Sequence, residues 1–114
     1  MIEKMKRYCL TLDLINDPEL IREYERFHKK IWPEIYESIK TAGIGEMQIY
    51  RFSNRLMMIM EVNDTFSFEE KAKMDATNER VQEWEKLMWK YQQALPGAKP
   101  GEKWMLMTQI FDLK

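Results

Sequence analysis

The chain has 114 residues, of which 45% are apolar and 32% are charged, and its formal net charge at pH 7 is −1. This length fits one compact domain, residues 1–114, with no room for a second. The balanced charge offers no electrostatic basis for binding nucleic acid or a membrane surface, and no apolar run approaches the roughly 18 residues that span a bilayer.

The chain opens with a predicted strand and a predicted helix. Apolar and polar residues alternate over residues 7–14, which is typical of a strand with one buried face. Asp17 and Pro18 then suit an N-cap and a first helical residue. Apolar side chains recur at helical spacing up to Ile31, so the helix is expected to run from Pro18 to that residue.

A break and a hairpin follow. Pro33 disfavours the helical conformation of Trp32, so the chain is expected to break there and to resume as a short helix that ends near Gly43. Two apolar segments, residues 46–52 and 56–62, flank a short polar turn. They predict a β-hairpin.

The second half predicts one long helix and a last strand. Ser67 and Glu70 have the spacing of a capping box. A helical stripe of apolar residues extends the helix to about Leu95. Residues 103–113 read as the closing strand.

The predicted order β-α-β-β-α-β is that of a ferredoxin-like α+β fold. An antiparallel four-stranded sheet then carries the helices on one face and leaves the other face bare. Both parities of the last strand are apolar, which indicates burial on both sides. Because so short a chain cannot cover the second face itself, we expect a homodimer that pairs two sheets into a dimeric α/β barrel.

His28 is the single histidine, and it is the side chain whose ordinary pKa lies nearest neutrality. Tyr24 precedes it by one helical turn and Trp32 follows by another, so the three side chains share one stripe. A sugar needs hydrogen-bonding groups and a flat apolar wall, which this stripe could supply. The same spacing also fits core aromatic residues with a surface histidine, and spacing alone leaves both interpretations open.

Two carboxylates occupy predicted strands. Glu61 stands alone in an apolar strand, and alternation puts it on the face that carries Met57 and Ile59. An unpaired buried charge is costly, so Glu61 is expected either at an exposed end or beside a partner. Asp13 closes the first strand in the same way, and a structural role is the more typical one for both.

Several catalytic signatures are missing from the sequence. It contains no glycine-rich phosphate loop, no nucleophile elbow and no Cys/His cluster, so neither a metal nor a cofactor is expected. A single cysteine, Cys9, excludes an internal disulfide and suits a reducing compartment. Residues 1–7 carry charge without the apolar run of a secretory signal, so the expected location is the cytoplasm.

Two neighbouring segments, Tyr24-Glu25-Arg26-Phe27-His28 and Ile31-Trp32-Pro33-Glu34, resemble the L-rhamnose mutarotase family. The likeness spans nearly the whole chain, continuing through Gly43, Ile49-Tyr50, Glu61 and Gln82-Glu83-Trp84. It implies a dimeric α/β barrel and a cofactor-free isomerase that interconverts the α and β anomers of a 6-deoxyhexose. L-rhamnose is the first expected substrate and L-fucose the second.

The resemblance also implies roles for individual residues. His28 donates or accepts the proton, and Tyr24 and Trp84 contact the sugar. Trp32 is a candidate sugar contact from its spacing, although its role could be structural. Ring opening needs a base and an acid, and general acid–base help is typically worth about 10²–10⁴ in rate. The second proton carrier stays open between Glu61 and water.

The chain departs from the family pattern at two positions. Met47 stands where the family typically has a substrate-binding tyrosine, and Glu85 follows Trp84 where the family has a second tryptophan. Losing one aromatic wall and gaining a carboxylate changes which hydroxyl pattern fits, so Met47 and Glu85 are expected to influence the choice of sugar. The family resemblance therefore predicts the type of reaction better than it predicts which sugar is the substrate.

Two other functions fit the same barrel. One is a monooxygenase, either cofactor-free or haem-handling, in which His28 could ligate iron. The other is a non-catalytic module that binds a sugar without exchanging its anomers.

Overall fold

The computed structural model describes residues 5–113, which form one antiparallel sheet with helices packed on one face. Residues 1–4 and 114 of the predicted domain lie outside this range. In chain order the elements are β1 Lys6–Leu14, α1 Pro18–Lys29, α2 Pro33–Thr41, β2 Ile44–Phe52, β3 Arg55–Val62, α3 Phe68–Ala76, α4 Glu79–Trp89, β4 Gln92–Gln93 and β5 Met105–Leu106.

The sheet has the order β2-β3-β1-β4, and β5 also pairs with β1. β4 pairs with the residues Asp13 and Leu14, whereas β5 pairs with Leu10 and Thr11. The two short strands therefore lie end to end along the same edge of β1 and together fill the fourth position of the sheet. The predicted α+β class with an antiparallel ferredoxin-like sheet is confirmed.

Local signals set several element boundaries as predicted. The Asp17 carboxylate accepts hydrogen bonds from the backbone N–H groups of Glu19 and Leu20 and so caps α1. Ser67 accepts from the N–H of Glu70 at the start of α3. The hairpin turn places Ser53 at φ 55°, a conformation that short hairpin loops require.

The predicted long second helix is wrong, because the chain divides it into α3 and α4. The break lies at residues 77–78, where the Asn78 side chain accepts from the N–H groups of Arg80 and Val81. Asparagine competes for backbone hydrogen bonds and so favours a cap over a helix interior. The helix also stops at Trp89 rather than near Leu95, and β4 begins three residues later.

The predicted closing strand is also wrong in its length. Only Met105–Leu106 of residues 103–113 forms a strand of the sheet. Beyond it the apolar side chains of Ile110 and Leu113 are 94% and 84% exposed. The backbone N–H of Met107 still donates to the carbonyl oxygen of Cys9, and the chain then leaves β1, although β4 pairs only with Asp13 and Leu14 at the opposite end of that strand.

The core lies between the helices and one face of the sheet. Leu12 and Leu14 of β1 are fully buried, and helix side chains such as Val81 and Met88 join Leu14 in the larger of two apolar clusters. Trp104, just before β5, packs against both clusters. Among residues 5–113, no helix has the length and apolar character that crossing a bilayer would take.

Candidate active site

A cavity of about 450 Å³ lies between the helices and the helix-bearing face of the sheet. This volume is in the range of small-molecule sites. The sheet supplies an apolar wall formed by Leu10, Met47, Ile49, Met58 and Met60. Polar groups come from the helices and β4, namely Tyr24, His28, Ser38, Lys71, Asp75, Glu85 and Gln92.

Helix α1 presents Tyr24 and His28 to this cavity from successive turns, as predicted. The Nδ1 atom of His28 is 2.9 Å from the carbonyl oxygen of Tyr24. A carbonyl oxygen only accepts hydrogen bonds, so Nδ1 carries the proton and Nε2 of the neutral ring is an acceptor. Burial lowers the pKa of His28 below its ordinary value, and the hydrogen bond to Tyr24 opposes part of this effect.

Tyr24 is buried, with 3% of its surface exposed. Burial raises the pKa of its hydroxyl to about 12, while a hydrogen bond from Gln92 acts in the opposite direction. The Gln92 Nε2 atom donates to the Tyr24 hydroxyl oxygen over 3.4 Å. The Tyr24 hydroxyl therefore stays protonated near neutral pH, and its own hydrogen remains available to a ligand.

Trp84 and Trp32 have different places in the site. Trp84 of α4 lines the cavity, and its ring centroid is 5.6 Å from that of His28. Trp32 lies behind it, with the two ring centroids 5.1 Å apart in an edge arrangement. The Arg80 guanidinium covers the Trp32 ring at 4.1 Å. Trp32 thus supports Trp84 and is not among the residues that line the cavity.

Met47 and Glu85 both line the cavity, at the two positions that depart from the family pattern. Met47 is a partly buried residue of the sheet wall. Glu85 lies 3.5 Å from the Nζ atom of Lys103. Burial lowers the pKa of Lys103, and Glu85 partly offsets this shift.

Glu61 lies on the opposite face of the sheet from His28. Its neighbours in β3, Met58 and Met60, face the cavity, and strand alternation turns Glu61 away from it. Its carboxylate is 2.8 Å from the Arg7 guanidinium, which holds the pKa of Glu61 below its ordinary value. The structure therefore gives Glu61 an ion-pair partner and does not bring it to the site.

Asp13 also pairs with a cation outside the cavity. Its two carboxylate oxygens accept hydrogen bonds of 2.8 and 3.0 Å from Arg55, which follows the hairpin turn. Asp13 is 7% exposed, so this bidentate pair satisfies a buried charge at the end of β1.

Sequence reasoning missed four polar residues of the cavity wall, namely Ser38, Lys71, Asp75 and Gln92. Lys71 and Asp75 form an ion pair across one turn of α3, and Gln92 reaches the cavity from β4. The four-residue spacing of Lys71 and Asp75 marks a helix pair, but it does not indicate which way that face of the helix points. Among residues 5–113, no three His, Cys, Asp or Glu side chains cluster as metal ligands.

Both the sequence and the fold are similar to those of known proteins. A family model described as L-rhamnose mutarotase matches residues 7–113. The L-fucose mutarotase of Xanthomonas campestris pv. campestris is 47% identical over 111 residues, which are 96% of this chain and 89% of that protein. The L-rhamnose mutarotase of Shigella flexneri serotype 5b is 30% identical over 86 residues, 74% of this chain and 75% of its own. The crystal structure of L-rhamnose mutarotase from Formosa agariphila shares the fold, with a TM-score of 0.69, 22% identity and coverage of 96% and 99%.

Proposed function

Because the chain belongs to the L-rhamnose mutarotase family, we propose that it interconverts the α and β anomers of a 6-deoxyhexose, with L-fucose as the first substrate and L-rhamnose as the second. It is a sugar mutarotase and therefore an isomerase. This order reverses the one expected from the sequence, and one observation carries it: identity is 47% to an L-fucose mutarotase and 30% to an L-rhamnose mutarotase, over 96% and 74% of the chain.

His28 is the proton-transferring residue of this proposal. Its neutral Nε2 takes the proton from the anomeric hydroxyl while the bond between C1 and the ring oxygen breaks, and a second group protonates that oxygen. Rotation about the C1–C2 bond exposes the other face of the aldehyde. The ring then closes by the reverse transfers, so the protons balance over one cycle. Support comes from the lowered pKa of His28, which keeps the base form populated at neutral pH.

The second proton passes through the Lys71–Asp75 pair. Both side chains line the same cavity as His28, and they are only 24% and 15% exposed. The Lys71 ammonium group donates its proton to the ring oxygen as the ring opens and takes it back from the resulting hydroxyl as the ring closes, while the Asp75 carboxylate holds the ammonium group in place. Glu61, the candidate drawn from the sequence, bonds to Arg7 on the other face of the sheet and is replaced in this role.

The remaining wall fits a deoxy sugar. The Tyr24 hydroxyl donates to a sugar hydroxyl, and the Trp84 ring covers the C–H face of the pyranose. Met47 belongs to an apolar wall against which the methyl group of a 6-deoxyhexose can pack. Glu85, on the opposite side, accepts from a hydroxyl. Met47 and Glu85 therefore select the hydroxyl pattern.

The working unit is a homodimer in the cytoplasm. On the bare face of the sheet, Tyr50 and Phe52 are 57% and 86% exposed. Beyond β5, Ile110 and Phe111 are 94% and 74% exposed. Large exposed apolar areas of this kind usually mark an interface. A second copy that covers the bare face and receives the C-terminal segment would bury both.

NMR saturation transfer between the anomeric protons tests the function. L-fucose and L-rhamnose are compared with and without protein, and exchange is expected to be faster with protein, more so for L-fucose. The reverse order would contradict the choice of sugar. Sugar binding without faster exchange would favour the non-catalytic module, and a haem Soret band on titration would favour the monooxygenase.

A further inference from the structure

Gln92 is a buried amide in the wall of the active-site cavity. It is 6% exposed and lies in β4, where its backbone pairs with Leu14 of β1. This pairing fixes the direction of its side chain, because successive residues of a strand point to opposite faces. Gln92 lines the cavity, whereas its neighbour Gln93 is exposed.

Within the described part of the chain, only one of the two polar atoms of the Gln92 amide has a hydrogen-bond partner. Its Nε2 donates to the Tyr24 hydroxyl oxygen at 3.4 Å. Its Oε1 is buried and has no hydrogen-bond partner among residues 5–113. Buried polar atoms are nearly always paired, so an unpaired acceptor in a cavity wall needs an explanation.

We propose that Gln92 binds the substrate, its Oε1 accepting a hydrogen bond from one hydroxyl of the monosaccharide, and that this contact contributes to sugar specificity. The inference rests on the proposed function, which supplies the sugar as the occupant of the cavity. Only an O–H or N–H donor can satisfy Oε1, and sugar hydroxyls are such donors.

Tyr24 and Gln92 act as a matched pair in this arrangement. Because the Tyr24 hydroxyl oxygen accepts from Nε2, its hydrogen is free to be donated to a ligand. The wall thus offers one donor and one acceptor side by side. Neighbouring hydroxyls of a pyranose ring can each donate and accept, so they complement this pair. An analogue without the matching hydroxyl leaves Oε1 buried and unpaired, which is the basis of strong discrimination.

The test compares Gln92→Met with Gln93→Met. Methionine has nearly the same length as glutamine but lacks the amide, and the exposed Gln93 on the same strand provides the matched control. Each protein is assayed for anomer exchange with L-fucose and with the analogues that lack one hydroxyl each. Gln92→Met is expected to lower kcat/KM for L-fucose about tenfold, the typical effect of one hydrogen bond, while Gln93→Met stays close to the wild type.

The analogues identify the contact. For one analogue, the kcat/KM of the wild type should fall by about the same factor as the kcat/KM of Gln92→Met falls for L-fucose. The kcat/KM of Gln92→Met should be little lower for that analogue than for L-fucose. The inference would be overturned if, for every analogue, the loss in kcat/KM caused by the missing hydroxyl and the loss caused by Gln92→Met were independent, so that the two factors multiplied. The Tm should change little in Gln92→Met, since the substitution removes an unpaired buried acceptor together with the long hydrogen bond that the amide donates to Tyr24. A fall in Tm with unchanged kcat/KM would show a purely structural role.

Equilibrium binding, followed by tryptophan fluorescence, separates the two possible failures. If the wild type binds sugar without accelerating exchange, the proposed function fails, and the same set of analogues decides the role of Gln92 from Kd. If exchange is accelerated and the losses multiply, only the Gln92 inference fails. If no sugar binds at all, both fail.

Discussion

The Nδ1 atom of His28 lies 2.9 Å from the carbonyl oxygen of Tyr24, one helical turn earlier in the same helix. This contact assigns the ring proton to Nδ1, because a carbonyl oxygen cannot donate. The remaining nitrogen, Nε2, then carries the lone pair of the neutral ring. Helix α1 thus sets both the position of the imidazole and the nitrogen that can accept a substrate proton.

The titration of His28 should be displaced to low pH. Burial disfavours the imidazolium, so its inflection is expected below 6.5, and kcat/KM should rise with pH through the same inflection and then level off.

The lowered pKa of His28 should also affect stability, because the unfolded chain binds the proton more readily than the folded one. The free energy of unfolding should therefore fall as the pH drops from about 6.5 through the folded pKa, with no such contribution above. Because the chain has one histidine, the imidazole NMR signal belongs to His28 without ambiguity. An NMR inflection above pH 6.5 would contradict the lowered pKa of this buried ring.

Replacing His28 by Gln should abolish most of the exchange activity. Glutamine keeps a polar side chain of similar reach but cannot carry a proton between substrate atoms, so kcat should fall by about 10²–10⁴. Lys29→Gln, at the exposed neighbouring position of α1, is the control and should keep its activity. Circular dichroism should give the same spectrum for both variants. Unchanged exchange in His28→Gln would remove His28 from the mechanism.

Asp75→Asn and Glu61→Gln distinguish the two candidates for the second proton. Asp75 lines the cavity beside Lys71, whereas Glu61 pairs with Arg7 on the other face of the sheet. Asp75→Asn should lower kcat at least about tenfold, while Glu61→Gln should stay close to the wild type. Anomer exchange rates of both variants and the wild type, measured at one temperature and at saturating sugar, give the kcat values that are compared. The opposite ranking would return the role to Glu61.

Charged residues in the C-terminal segment should disrupt the dimer. Ile110→Asp combined with Phe111→Asp places two carboxylates where we propose that the partner subunit covers exposed apolar side chains, and buried unpaired charges are costly. Light scattering after size exclusion should give a dimer for the wild type and a monomer for the double variant. Lys86→Asp, on the exposed side of α4, should remain dimeric. A monomeric wild type would refute the homodimer.

Local chemistry determined much of the fold. The caps at Asp17 and Ser67 depend on residues within one turn, and the hairpin depends on adjacent segments, so each was predictable without knowledge of the rest of the chain. The shared stripe of Tyr24 and His28 is equally local, because their spacing fixes their relative direction on any helix. The pairing of Tyr24 with His28 was therefore identifiable from spacing, whereas the catalytic role of His28 was implied only by the family resemblance.

Tertiary packing decided which side chains share the cavity with His28. Gln92 reaches it because two residues of β4 pair with the end of β1, a contact that no local pattern encodes. Glu61 is kept away because the helices cover the other face of its strand, and alternation alone does not say which face that is. The direction in which Lys71 and Asp75 point likewise depends on where α3 lies against the sheet. Spacing within a helix or strand determines which of its side chains point the same way, whereas the packing of helices and strands determines whether those side chains face the cavity, the core or solvent.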